Sequence, residues 1–413
     1  MELSAGQVWM MASAAMVLLM TPGLAFFYGG MTRAKSALNM MMMCFMAAAL
    51  TAVVWVLWGY SMTSSVGFAG IVGSPLTHAG LGDLVGGVEL IGAGYSATFA
   101  IIAVALISGA IADRARFGAW CLFVPLWVTA VYCPLAYMVW GGGLLDEEGM
   151  IGSVVGEAID FAGGTVVHIS AGVSALVLAI ILGKRHGFGS DPGHRPHNMP
   201  LVMVGAALLW FGWFGFNGGA AGSAEQAGLI WINTLAAPAA AMVGWLFTEL
   251  IRTGRPTSFG AASGVVAGLV AITPACADVS PAGALGLGLV AGILASLAVG
   301  LKYKLGFDDS LDVVGVHLTA GIVGTLALGF IALPVDGEGG GLFYGGGAGQ
   351  LIAQIVSVVL AVVLAGAVTT VLGLLIARTI GFRISSEHEI SGIDRAEHAE
   401  SAYVFGTTGA GTR

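Results

Sequence analysis

The chain has 413 residues, 57% of them hydrophobic and only 9% charged, with a formal net charge of −8. A soluble domain carries about 25% charged residues, so this composition excludes a soluble globular protein and leaves a surface that faces lipid. The acidic balance offers no basic footprint, and no nucleic-acid partner is expected.

Apolar stretches of about 20 residues cross a bilayer. Eleven are read in chain order: 7–29, 39–63, 88–112, 118–140, 163–183, 199–218, 227–251, 259–276, 282–301, 313–333 and 348–378. The start, Met1-Glu2-Leu3-Ser4, lacks the basic segment of a signal peptide, so the first run is expected to remain as a helix. The count of 66 glycines suits membrane helices, whose backbones approach closely. Cys44, Cys121, Cys133 and Cys276 fall inside apolar runs without paired spacing and are expected to be packing residues.

The loops carry an orientation signal. Arg33, Lys35, Arg114, Arg116, Lys184, Arg185, Arg195, Arg252, Arg255, Lys302, Lys304, Arg378, Arg383, Arg395 and Arg413 all follow odd-numbered spans. The even-numbered connections carry Asp83, Asp146, Glu147, Glu148, Glu157, Glu225, Asp278, Asp336 and Glu338. The positive-inside rule then puts the N-terminus outside and the C-terminus in the cytoplasm, as an odd span count requires.

An internal repeat follows. Asp160 precedes His168-Ile-Ser-Ala-Gly by eight residues, and Asp309 precedes His317-Leu-Thr-Ala-Gly by eight. Phe27-Tyr28-Gly29-Gly30 is echoed by Phe216-Asn217-Gly218-Gly219. The fold class read from this is an all-α membrane protein of eleven transmembrane helices, two inverted five-helix repeats plus one bracing helix. Inverted repeats place a transport pathway along their interface. The expected organisation is a helical body over 1–380 and a cytoplasmic tail over 381–413. The repeats cover about 1–185 and about 195–335, with helix eleven at about 348–378.

His168 and His317 would approach the membrane midplane from opposite faces. A packing role is one reading, but intramembrane ionisable residues are functional candidates by default, and their symmetry favours a paired pore role. Neutral imidazoles offer donor and acceptor to a small polar solute or a proton. No third ligand shares their depth, so a metal site is not expected. Asp160 and Asp309 read either as helix N-caps or as electrostatic features of the two mouths, rather than as direct ligands. Trp140, Phe99 and Phe216 read singly as interface and packing residues.

Several motifs then change that reading. Asp160-Phe161-Ala162-Gly163-Gly164-Thr165-Val166-Val167-His168, Met138-Val139-Trp140-Gly141-Gly142-Gly143, Gly212-Trp213-Phe214-Gly215-Phe216-Asn217, Thr273-Pro274-Ala275-Cys276 and Asp312-Val313-Val314-Gly315-Val316-His317 resemble the ammonium transporter signature. Their context looks like the Amt branch rather than the Rhesus branch. The resemblance implies a cell-inner-membrane homotrimer with one pore per subunit and no cofactor. It assigns Trp140, Phe99 and the carbonyl of Ala162 to an outer ammonium-recruitment site. Phe99 and Phe216 would form the gate beneath it, His168 and His317 the pore lining, and Tyr95 the border of the vestibule. The family usually has serine where this chain has Ala220, so a weaker outer site, or one completed by water or Asn217, is expected.

A dry lane penalises an intact ion, so ammonium would lose its proton at the gate and cross as ammonia, with the proton left outside or moved separately. Methylammonium would be an analogue substrate. The rivals are an ammonium sensor, disfavoured because no kinase or cyclase domain follows the tail, and a membrane enzyme using the histidines as acid and base, for which no nucleophile or nucleotide loop is present. The tail segments Glu389-Ile-Ser-Gly-Ile-Asp394 and His398-Ala-Glu-Ser-Ala-Tyr403 also resemble the family pattern, with Ala399 where glycine is common. By that resemblance the tail packs under a neighbouring subunit and accompanies docking of a PII-type regulatory protein at the cytoplasmic face.

Overall fold

Backbone amides and carbonyls find no water inside a bilayer, so each crossing segment has to satisfy its own. The computed structural model, which describes residues 2–189, 196–335 and 339–403, does so with helices. Among the described residues eleven are long and apolar enough to span: α1 (Ala5–Met31), α2 (Ala34–Ser64), α3 (Glu89–Ile111), α4 (Phe117–Trp140), α5 (Gly164–Leu182), α6 (Met199–Gly218), α7 (Ala224–Thr253), α8 (Ser258–Ala275), α9 (Pro281–Leu305), α10 (Val314–Ile331) and α11 (Gly349–Thr379). They coincide with the runs read from the sequence, the ends shifting by a few residues. Arg195, Asp336, Glu338 and Arg413, counted above among the loop charges, lie outside the described residues, as do tail residues 404–413.

Short polar residues start many of these helices. Ser4 and Gln7 form a capping box before α1, and Asn198, Ser223, Thr257 and Ser280 each accept a backbone N–H at the head of α6, α7, α8 and α9. Helices α1–α5 and α6–α10 form two repeats of opposite topology. Close packing depends on small residues: a Cβ on Gly288 or Gly292 of α9 would lie 2.1 Å from the carbonyl oxygen of Ala237 or Ala241 on α7. Helix α11 packs outside both repeats against α5 and α10. Its Gln354 accepts the Ile159 N–H at 2.9 Å and donates to the carbonyls of Ile159 at 2.8 Å and Thr325 at 3.0 Å. It braces the start of one repeat's histidine helix against the other's.

The face that carries the basic loops is not simply basic. Arg185 donates from Nε (2.9 Å) and Nη2 (2.9 Å) to the Asp308 carboxylate and from Nη1 to Asp113 at 3.2 Å. Arg33 pairs with Asp113 at 3.4 Å, and Lys302 with Asp312 at 2.7 Å. Arg114 is fully buried and donates to Ser310 Oγ at 2.6 Å and the Asp308 carbonyl at 2.5 Å. Positive-inside residues read from the sequence as a topology signal thus tie the ends of α1, α3, α5, α9 and α10 together through carboxylates.

The tail is seated against its own chain. Helices α2 and α4 start at this face with amides that lack intrahelical partners. Asp394 accepts from Leu38 N (3.1 Å) and Asn39 N (2.8 Å), and Glu397 accepts from Phe117 N (3.1 Å). The tail forms two short helices, α12 (Ser386–Ser391) and α13 (Ile393–His398). Buried Glu389 accepts from His186 N at 2.5 Å and from Arg383 at 2.8 Å. Ala399 ends α13 with φ 55°, the left-handed conformation that glycine adopts without penalty.

Two outcomes follow for stability. Arg185→Ala strands the buried carboxylates of Asp113 and Asp308 and is expected to cost about 3–5 kcal/mol, read as a drop in thermal unfolding temperature of the detergent-solubilised protein. Ala399→Gly removes about 1 kcal/mol of backbone strain and is expected to slow amide exchange over the tail helices about fivefold, measured by hydrogen–deuterium exchange.

Candidate functional site

The pathway begins in the aromatic side chains of the even-loop face, the side that carries the chain's N-terminus. Tyr95 and Phe99 stand one turn apart on α3, and Tyr132, Ala136 and Trp140 recur every four residues on α4. They converge on a cavity of about 320 Å³. Trp140, Phe99, Phe216, Ala162 and Ala220, the residues expected at an outer site, all line it. So do Trp55, Tyr60, Tyr132 and Ser96, which sequence reading missed. An aromatic residue in an apolar span looks like packing, and the four-residue spacing on α4 is the one signal that pointed further.

Phe99 and Phe216 close the floor of this vestibule, stacked at 4.1 Å between centroids and 15° between planes. Trp140 meets the edge of Phe99 at 6.3 Å and 89°. The Tyr95 hydroxyl donates to the Phe216 carbonyl at 2.8 Å and holds the end of α6 against α3. Trp140 is 41% exposed whereas Phe216 is fully buried, so the rings run from water inward.

Behind the phenylalanines the space narrows to about 10 Å³, roughly the room one water needs. Apolar Phe27, Ile102, Leu106 and Leu209 line it with Trp213, His168 and His317. The two imidazoles are buried, 5.4 Å apart between centroids, with Nδ1 of one 3.4 Å from Nδ1 of the other. Trp213 stacks on His168 at 5.5 Å and donates its indole N–H to Thr273. Nε2 of His168 is buried with no hydrogen-bond partner among the described residues. One Nδ1 has to donate and the other accept, so the two Nε2 atoms take opposite roles.

Each histidine sits in a π-helical turn, Gly164–Ile169 or Val314–Leu318. Such turns place side chains off the regular helical stripe and recur at functional sites. Asp160 stabilises the first: its carboxylate accepts from the amides of Gly163 (2.9 Å), Gly164 (2.5 Å), Thr165 (2.9 Å) and Val166 (3.1 Å). Burial raises this carboxyl to about 6 while the four amides pull it back. Gly163 takes φ 114°, and a Cβ on Gly164 would lie 2.6 Å from Pro274, which accounts for the Gly-Gly pair. Asp309 repeats the arrangement with Val313 N (3.1 Å) and Val314 N (2.7 Å).

Asp160 and Asp309 therefore cap, and neither lines the vestibule or the lane. Asn217, the suggested stand-in for a serine, does not reach the vestibule either. It is buried and donates to Thr234 on α7 at 3.0 Å. No group of three or more potential metal ligands occurs among the described residues.

Residues 8–403 match the family model described as the Ammonium Transporter Family. A protein of Mycobacterium tuberculosis named "Ammonium transporter" is 52% identical over 429 residues, covering 96% of this chain and 90% of the relative. Among solved structures, a "Sensor Amt Protein" superposes with a TM-score of 0.86 at 28% identity, covering 95% of this chain and 98% of that one. Mep2 of Candida albicans gives a TM-score of 0.83 at 32% identity, with coverages of 93% and 87%. With eleven membrane-crossing helices and a family match over nearly its whole length, the chain is a multi-pass membrane protein and belongs to the Ammonium Transporter Family.

Proposed function

We propose that this chain carries ammonium across the cell inner membrane by recruiting the ion among aromatic rings and passing it as ammonia between two histidines. The observation that carries the reading is the facing pair His168 and His317, Nδ1 to Nδ1 at 3.4 Å, the polar groups of a lane otherwise apolar. A cation in the vestibule meets the π-faces of Trp140 and Phe99, each contact worth about 0.5–2 kcal/mol. The lane beyond excludes its hydration shell. Carrying a full charge into such a space costs far more than the rings return, so the proton is released at the stacked phenylalanines and crosses separately along the histidine pair. Ammonia then meets one Nε2 that accepts and one that donates.

The same reading sets the surroundings. The basic loops place the C-terminal face in the cytoplasm and the vestibule outside. The chain assembles as a homotrimer, and the strapped tail presents the cytoplasmic face to a PII-type regulatory protein. A second reading, an ammonium sensor with little transport, draws on Ala220 and on the likeness to the solved sensor protein. Labelled methylammonium uptake by proteoliposomes separates the two, since a pure sensor takes up none.

Ala220 is exposed in the vestibule and brings no hydroxyl. If that lack weakens recruitment, Ala220→Ser is expected to lower the half-saturating ammonium concentration about tenfold for each 1.4 kcal/mol regained. Initial-rate uptake across an ammonium series measures it, and identical curves would mean that another acceptor already serves.

Replacing both His168 and His317 with Leu keeps the lane's volume and removes its relay. Ammonium-induced current on supported membranes is expected to vanish, with any residual ammonia leak seen as a pH change without charge movement. Full current in the double variant, at wild-type expression, would remove the histidines from the pathway.

A further inference from the structure

The vestibule is far larger than its substrate. An ammonium ion has one heavy atom, like a water molecule, which occupies about 30 Å³ in the liquid. The vestibule offers about 320 Å³, while the lane behind it offers about 10 Å³. Pockets of about 300 Å³ and above hold organic ligands of several heavy atoms. Besides the gate rings, Trp55 and Tyr60 of α2 and Tyr132 and Ala136 of α4 line the vestibule.

That far wall is also aromatic. Trp55 is buried, with its indole N–H donating to the Ala93 carbonyl at 2.9 Å, and its ring meets Tyr132 at 6.1 Å and Tyr60 at 6.3 Å. Trp55 and Tyr132 stand in π-helical turns, Trp55–Gly59 and Val128–Tyr132, as His168 and His317 do. All four π-helical turns found among the described residues thus deliver a side chain to this pathway. The hydroxyls of Tyr60 and Tyr132 make no hydrogen bond among the described residues, and Tyr132 is only 1% exposed. Their lone pairs are available to a cation in the cavity. Between the rings the wall is finished with the methyl groups of Ala136, Ala162 and Ala220 and with Thr63, Ser64 and Ser96, whose hydroxyls already donate to backbone carbonyls of Tyr60 and Gly92.

Rings on several sides, free phenol oxygens and alanine methyls describe a cage for a cation with an apolar outer shell. We propose that the vestibule binds ammonium ions carrying three or four methyl groups and holds them above the gate, so that they compete with ammonium without crossing. Aromatic cages attract such ions through their π-faces, and methyl groups displace water from apolar walls at no hydrogen-bonding loss. A serine at 220 would favour an N–H donor, and Ala220 removes that bias. The lane, with room for about one water, stops the bulky ion. The inference deepens the transport reading and rests on it for the direction of entry.

Tetramethylammonium chloride is the probe, used on the full chain reconstituted in lipid nanodiscs for calorimetry and on supported membranes for current. Saturable binding is expected, together with an ammonium half-saturating concentration that rises in proportion to added tetramethylammonium and no current from tetramethylammonium alone. Trp140→Leu, which removes a half-exposed ring, is expected to weaken tetramethylammonium binding about tenfold. Robust ammonium current that tetramethylammonium neither inhibits nor accompanies with saturable heat would overturn the cage and leave the transport reading standing. Current from tetramethylammonium itself would also overturn it, because the site would then be an entrance. Saturable binding in a protein that gives neither ammonium current nor labelled methylammonium uptake would keep the cage and overturn the transport reading instead.

Discussion

A helix that begins inside a membrane protein leaves its first amides without partners, and burying them unpaired is costly. The Asp160 carboxylate takes four of these amides at once. It can do so because Gly163 adopts a conformation closed to most side chains and Gly164 lets the backbone approach Pro274. The helix so started winds through a π-turn that presents His168 to the lane rather than to a neighbouring helix. Asp309 performs the same task for His317 from the opposite face. The separation of the two imidazoles is therefore set by two carboxylates that line neither the vestibule nor the lane.

The rest of the pathway is a gradient in which water is removed in stages. Trp140 is half exposed, Phe99 nearly buried and Phe216 wholly so. In the proposed mechanism, attraction to the rings would operate where the ion still keeps part of its hydration. Polar contacts would resume only at the histidines, past the point where a charge is too costly to carry. Trp213 holds His168 by stacking, and its own N–H is satisfied by Thr273, so the imidazole is oriented without losing Nε2 to a protein partner. In the proposed mechanism that Nε2 is the group that would meet the solute.

Much of this was legible in the sequence, for reasons tied to the solvent. A bilayer demands long apolar runs, and the repeat of Asp with His eight residues later survives because both copies solve one capping problem. Trp140, Phe99 and Phe216 came through resemblance, and the structure brings them to one cavity. The far wall of that cavity did not come through. Trp55, Tyr60 and Tyr132 sit in apolar spans where an aromatic residue ordinarily packs, and a π-turn has no short-range code because it depends on what the helix meets. Asn217 looked like a vestibule residue from its place beside Phe216, but the next position on a helix points to another face, here toward Thr234.

The basic loops show a different limit. Their positive charge signals topology only as a sum; where each charge goes depends on carboxylates distant in sequence. Arg185 reaches Asp113 and Asp308 across three loops, and the adjacent His186 amide is held by Glu389 of the tail. Two neighbouring residues at the end of α5 thus join the ion cluster beneath the lane to the strap that covers the same face. A displacement of the tail that freed Glu389 would act on the helix carrying His168 at its far end. The partners of Arg185 are buried, so the ion cluster would resist that displacement rather than yield to it. The joint between the tail and α5 has two buried carboxylates on the Arg185 side and the single Glu389 carboxylate on the tail side.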